Sequence, residues 1–322
     1  MGIIETEQLS KVYVRDVIDT EYGRLRIRFR NRKTVALKNL DLDIPKGEIF
    51  GLLGPNGAGK TTTIKILMGI HYASSGTARI MGKPLGERSV KKRIGFLPEN
   101  PYFYDYLKGW EFLDFYGQLY GMGRRERRAK TEQLLSQVGL SHAANIPLRG
   151  YSKGMNQRIG LAQALMSDPE IVVLDEPQSG LDPLGRKEVR DIIISLREQG
   201  KTVFFSSHIL SDAEMICDRV GILYQGELRS IGRLGELLSA RVTEWELVVR
   251  GVGDEVLEPY RRSLRRLSKI EGDFWAIAEQ ESLTNEIISR VIGRGGQLLS
   301  LTPRRESLED FFIREIQQGS KS

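Results

Sequence analysis

The stretch Gly54-Pro55-Asn56-Gly57-Ala58-Gly59-Lys60-Thr61-Thr62 restricts the fold of this chain more than any other. It follows an apolar segment, Glu48 to Leu53, and opens a helix predicted over Lys60 to Met68. The glycines let successive backbone N–H groups turn inward around a polyphosphate, and the helix N-terminus adds its partial positive charge. In such a cradle Lys60 reaches the β- and γ-phosphates, and the Thr61 hydroxyl faces a Mg2+ ion shared with them. A glycine-rich turn that merely precedes a helix is the alternative. Strand, loop and helix in this register favour the phosphate cradle.

A chain of 322 residues suits two domains, each with its own core. With 40% hydrophobic and 28% charged residues, the composition is that of a globular protein without a disordered majority. Met1 to Tyr13 does not read as a signal peptide, and no uninterrupted apolar run reaches membrane-spanning length, so any membrane role is expected to be peripheral. The single cysteine, Cys217, excludes an internal disulfide and reads as a packing residue in a reducing cytosol. A net charge of +6 permits either nucleic acid or an anionic membrane face as a neighbour. Basic clusters occur at Arg24 to Lys33, Arg124 to Lys130 and Arg261 to Arg266. In the first, Arg24, Arg26, Arg28 and Arg30 alternate with Leu25, Ile27 and Phe29, as in a strand with one basic face. Charge protecting an edge strand is one reading, and a lipid- or phosphate-facing patch is the other.

Ile3 to Leu9 and Thr34 to Ile44 predict an antiparallel lead-in, with Arg15 to Lys33 inserted. Ile49 to Leu53, Ile94 to Leu97, Ile171 to Leu174 and Thr202 to Ser206 are short apolar segments separated by helices, as in strands buried on both faces. An amphipathic region, Leu107 to Leu140, interrupts them as a helical lobe. After Gly232 the order changes: a strand at Glu244 to Arg250, a helix at Asp254 to Arg265 and a hairpin across Leu267 to Ile277. A helix at Leu283 to Gly293, a strand at Gln297 to Thr302 and a final helix at Leu308 to Gln318 follow. The β-α-β-β-α-β order predicts a ferredoxin-like accessory domain.

Four further segments narrow the chemistry. Ile171 to Glu176 is a buried strand ending in two carboxylates; Asp175 suits Mg2+ through its water shell, and Glu176 can orient or deprotonate an attacking water. Ser179-Gly180-Leu181-Asp182 follows directly. Tyr151-Ser152-Lys153-Gly154-Met155-Asn156-Gln157-Arg158 opens a helix running to Met166, where hydroxyl, glycine backbone and helix N-terminus make a second anion site. Two copies placed head to tail could each offer this helix to the nucleotide on the other's phosphate loop. His208, in Ser206-Ser207-His208, follows the next strand and can reach a γ-phosphate.

On these segments the chain resembles the nucleotide-binding subunit of an ABC transporter over Ile3 to Gly232. Gly54 to Thr62 matches Walker A, Ile171 to Glu176 Walker B, Tyr151 to Arg158 the signature, Ser179 to Asp182 the D-loop and His208 the switch histidine. The Tyr-Ser-Lys-Gly-Met form of the signature is similar to cassettes that partner ABC-2 type membrane subunits, most of them exporters. The resemblance implies an α/β P-loop cassette with a mixed sheet, antiparallel lead-in and helical lobe at about 100–166, spanning 1–232; the change of element order after it makes 233–322 a smaller α+β domain. The resemblance also implies ATP and Mg2+ as cofactors, Glu176 as catalytic base, His208 as γ-phosphate sensor, and Ser152 with Gly154 as the contact to the partner copy's nucleotide.

Two departures stand out. Lys153 and Met155 replace Gly and Gln in the usual Leu-Ser-Gly-Gly-Gln signature, and Lys153 adds a cation near the anion site. Glu99, in Leu97-Pro98-Glu99-Asn100, takes the Q-loop position; its carboxylate can still ligate Mg2+ but adds negative charge. The family places an adenine-stacking ring at Tyr13, with Phe29 as the competing candidate. Pro101-Tyr102-Phe103-Tyr104-Asp105-Tyr106 concentrates aromatics beside the sensor. Tyr102, Phe103, Tyr104 and Tyr106 are expected to meet a membrane subunit's coupling helix or to fill the lobe core with Trp110, Phe112 and Phe115. The expected protein is a homodimeric ATPase, peripheral on the cytoplasmic face of the membrane, driving export through separate permease subunits, without nucleic acid. A soluble ABC-type ATPase acting on ribosomes or nucleic acid is the alternative.

Overall fold

The computed structural model describes residues 2–21, 24–238 and 242–319, with side chains except at 15–32, 243, 318 and 319; all counts below are of these residues. Phe29, the second adenine candidate, lies outside the described side chains. The chain divides into two compact units, one made of Met1–Leu234 with Glu315–Ser322 and the other of Gly235–Arg314.

In the first unit, β1 (Ile4–Glu21) and β2 (Arg24–Ile44) pair antiparallel along nearly their whole length, from Ile4 opposite Ile44 to Glu21 opposite Arg24. The segment expected as an insertion at Arg15 to Lys33 is therefore the far end of one long hairpin. β3 (Ile49–Leu53) leads through the glycine loop into α1 (Lys60–Leu67). β4 (Ser75–Ile80) and β5 (Lys83–Pro84) complete a four-stranded sheet in the order β2-β1-β4-β5.

β6 (Ile94–Leu97) precedes a helical lobe made of α2 (Gly109–Leu119), α3 (Arg124–Gln137) and α4 (Lys153–Ala164). Then come β7 (Ile171–Leu174), α5 (Pro183–Glu198), β8 (Thr202–Ser207), α6 (Leu210–Ile216), β9 (Arg219–Tyr224) and β10 (Glu227–Arg233). The sheet order is β10-β9-β3-β8-β7-β6, parallel except for the antiparallel β10. Every residue of β3, β7 and β8 is buried, as expected of parallel strands covered on both faces. Phe50 and Phe204 stack across β3 and β8 with ring centroids 5.6 Å apart, anchoring the layer beneath the site. The order sets the site: β8 lies between β3 and β7, so the loops at their C-terminal ends converge.

The second unit holds β11 (Val242–Arg250), β12 (Arg266–Ile270), β13 (Asp273–Ala278), α7 (Glu281–Gly293) and β14 (Gln297–Arg305). Its antiparallel sheet runs β12-β13-β11-β14, and its core packs Leu247, Val249, Phe274 and Ala276 against Ile287 and Val291. The helix expected over Asp254 to Arg265 stops at Leu257 and gives way to a 3-10 turn at Glu258–Tyr260. Pro259 explains the break, since its ring supplies no N–H to continue an α-helix. A final helix, α8 (Leu308–Gly319), closes the described chain.

Candidate active site

The loop between β3 and α1 ends at Gly59, which caps the helix at φ 111°, a conformation that glycine adopts without strain. A side chain there would also press within 2.5 Å of the Ala36 carbonyl. Pro55 has no N–H, and the Ala58 N–H donates to the Pro55 carbonyl at 3.1 Å. The donors that remain for an anion are those around Gly57, Gly59 and the first turn of α1. They line a cavity of about 270 Å³ with Ala36, Asn56, Lys60, Thr61, Thr62, Glu99 and Glu176.

Lys60 is 5% exposed and fully engaged. Its Nζ donates to the carbonyls of Gly54 at 2.6 Å and Pro55 at 3.1 Å, and stands 3.1 Å from Glu176 Oε1. The other Glu176 oxygen lies 2.7 Å from His208 Nδ1. One buried carboxylate is thus held between an ammonium and an imidazole. Glu176 itself has φ 50°, a left-handed conformation that costs a non-glycine residue about 1–3 kcal/mol. Its N–H donates to Ser206 Oγ at 2.9 Å, and its carbonyl accepts from the Ser179 N–H at 3.1 Å.

Asp175, 1% exposed, accepts from Thr61 Oγ1 at 3.0 Å and from Ser206 Oγ at 2.7 Å. Burial pushes its carboxyl above the usual aspartate range; the two hydroxyls oppose that shift, and the charges of Glu99 and Glu176 add to it. Ser206 is the residue that reading for charged groups missed. The signal was present in Ser206-Ser207, two hydroxyls ending an apolar strand immediately before His208. No three His, Cys, Asp or Glu side chains among the described residues converge closely enough to hold a metal by themselves. Hydroxyl and carboxylate oxygens at Thr61, Asp175 and Glu99 nonetheless suit a hard divalent cation that takes its remaining ligands from phosphate and water.

The segment expected to make a second anion site lies at the start of α4. Ser152 is the N-cap, its Oγ accepting from the Met155 N–H at 3.2 Å, and Ser152 and Lys153 are both exposed. Tyr13 does not line the phosphate cavity. Its Oη is 2.8 Å from His71 Nδ1, and the Lys11 ammonium sits 5.0 Å from its ring centroid. The aromatic run after Glu99 splits: Phe103 turns toward Phe112 at 5.2 Å, whereas Tyr102 is 89% and Tyr106 66% exposed.

Comparison with known proteins follows the same lines. Residues 37–179 match the ABC transporter family. An uncharacterized ABC transporter ATP-binding protein of Synechocystis is 46% identical over 98% of this chain and 85% of its own length. The bacitracin transport ATP-binding protein of Enterococcus faecalis is 33% identical over 98% of this chain and 97% of its own. A solved ATP-binding subunit of an ABC transporter superposes with a TM-score of 0.60 at 27% identity, covering 73% of this chain and 92% of that one.

Proposed function

The chain belongs to the ABC transporter ATP-binding proteins, and from that premise we propose how its residues divide the work of transport. It is an ATP-hydrolysing subunit of an ABC transporter. Glu176 acts as general base on the attacking water, and His208 steadies that carboxylate while facing the γ-phosphate. Lys60 binds the β- and γ-phosphates, which requires it to leave Glu176. Thr61, Asp175 and Glu99 would hold Mg2+, which when bound would offset negative charge on the phosphates. Tyr13 takes the adenine. The observation that carries this reading is the double hold on Glu176, by Lys60 at 3.1 Å and His208 at 2.7 Å, at the mouth of the glycine loop.

The nucleotide is shared between two copies. Ser152 and Gly154 at the start of α4 offer an anion site that is separate from the chain's own glycine loop, which supports a two-fold dimer with ATP between loop and signature. No helix among the described residues is long and apolar enough to cross a membrane. In this reading separate permease subunits form the passage. Tyr102, Tyr104 and Tyr106 form the docking patch on the lobe, at the cytoplasmic face of the membrane. Relatives named for bacitracin transport, linearmycin resistance and fluoroquinolone export support export as the direction. The second unit, Gly235–Arg314, serves as an accessory domain.

Glu176→Gln tests the site directly. Phosphate release should fall by about 10²-fold or more, the usual worth of a general base, while ATP with Mg2+ converts the variant to a dimer by light scattering. Unchanged turnover would remove Glu176 from the role of base.

A further inference from the structure

Lys153 occupies the third signature position, where glycine is usual. We propose that it is a positioning residue, clamping the loop 176–182 that carries Glu176 onto the start of α4. This rests on the shared-site reading above and extends it. A Cβ added at Gly180 would lie 2.0 Å from Lys153 Nζ and 3.1 Å from its Cε, so the lysine stem and ammonium cross directly over that glycine. Gly180 also has φ 67°, a backbone conformation that favours glycine, and the lysine stem lies over the face where a side chain would stand. One residue further along both segments, a Cβ at Gly154 would stand 4.0 Å from Leu181 Cδ2, and Leu181 is 7% exposed.

The loop transmits this contact over a short path. Ser179 N–H donates to the Glu176 carbonyl at 3.1 Å and Leu181 N–H to the Gln178 carbonyl at 3.3 Å. The loop ends at Asp182, whose Oδ1 accepts from the Gly185 N–H at 2.9 Å and caps α5. Two linked turns therefore separate the lysine's seat from a catalytic residue held at φ 50°. Among the described residues no hydrogen bond or ion pair engages the Lys153 ammonium, and the contact of its stem is with Gly180.

The consequence reaches across the dimer. Ser152 and Gly154 close on the neighbouring copy's nucleotide, whereas Glu176 serves the chain's own. Lys153 joins the two within one chain, so closure at one site sets the base of the other. That is a coupling between sites with a named physical link.

Lys153→Met should lower kcat about fivefold to tenfold with KM for ATP changed less than about twofold, and Lys153→Arg should recover most of kcat. Unchanged kcat in Lys153→Met overturns the proposal. The second measurement separates positioning from direct phosphate contact. In a Glu176→Gln background no base remains to position, so adding Lys153→Met should leave the ATP concentration for half-maximal dimerisation within about twofold. A tenfold rise there assigns the ammonium to the neighbour's phosphates and overturns the positioning role. If Glu176→Gln alone stays monomeric with ATP and Mg2+, the shared-site reading itself fails and the proposal goes with it.

Discussion

Asp175 shows how function works against stability at a single residue. Its carboxyl is 1% exposed, and burial raises its proton affinity above that of an ordinary aspartate. The sign follows from linkage: the folded chain holds this proton more tightly than the unfolded chain. The stability associated with it is complete below the unfolded value and is lost as pH rises through the raised one. Asp175→Asn should therefore melt higher than the parent protein at pH 7.5, while losing hydrolysis. The gap should narrow as pH falls toward about 4, the ordinary aspartate range. A lower melting temperature at pH 7.5 would mean that the hydroxyls of Thr61 and Ser206 outweigh desolvation. Asp175 and Glu176 were legible in the sequence because two carboxylates at the end of an apolar strand are unusual. Ser206 was not, because a buried serine carries no charge to mark it.

At the scale of elements, the start of α4 carries most of the unusual chemistry. Ser152 caps the helix through the Met155 N–H, and its replacement by alanine costs about 1 kcal/mol at such positions. Ser152→Ala should speed hydrogen exchange at the Met155 amide about fivefold while the amides of β3 and β8 are unchanged. Equal acceleration throughout would show that the cap supports the whole fold. The helices and parallel strands were readable from apolar runs and glycine punctuation. One boundary was not, since Pro259 cut a helix that its neighbours' pattern favoured; the alternation at Arg24 to Arg30 did read as a strand, and the segment that the family spacing marked as inserted is the paired far end of β1 and β2.

For the whole molecule the issue is where force leaves the cassette. Tyr102 and Tyr106 expose rings that Phe103, packed on Phe112, does not. Such rings contribute little to folding, so Tyr102→Ala with Tyr106→Ala should change stability by no more than about 0.5 kcal/mol. Basal ATPase should persist, and the protein should no longer co-purify with its permease from detergent-solubilised membranes. Retained co-purification would place the docking surface elsewhere. The same preparation distinguishes the soluble alternative, since recovery with ribosomes or nucleic acid and no permease would favour it.

The sequence by itself singled out the candidate chemistry: Gly54 to Thr62, Asp175, Glu176, Ser152 and His208 stand out because phosphate binding and hydrolysis admit few residue types at few spacings. The order of the strands belonged to the tertiary structure. β8 inserts between β3 and β7, although β7 precedes it in the chain, and so Ser206 bridges Asp175 to the Glu176 backbone and His208 meets Glu176. Lys153 lies across Gly180 where the start of α4 meets the loop after β7. Such contacts join residues far apart in the chain, and hydrophobic periodicity, which reports only which face of an element is buried, carries no information about which elements become neighbours.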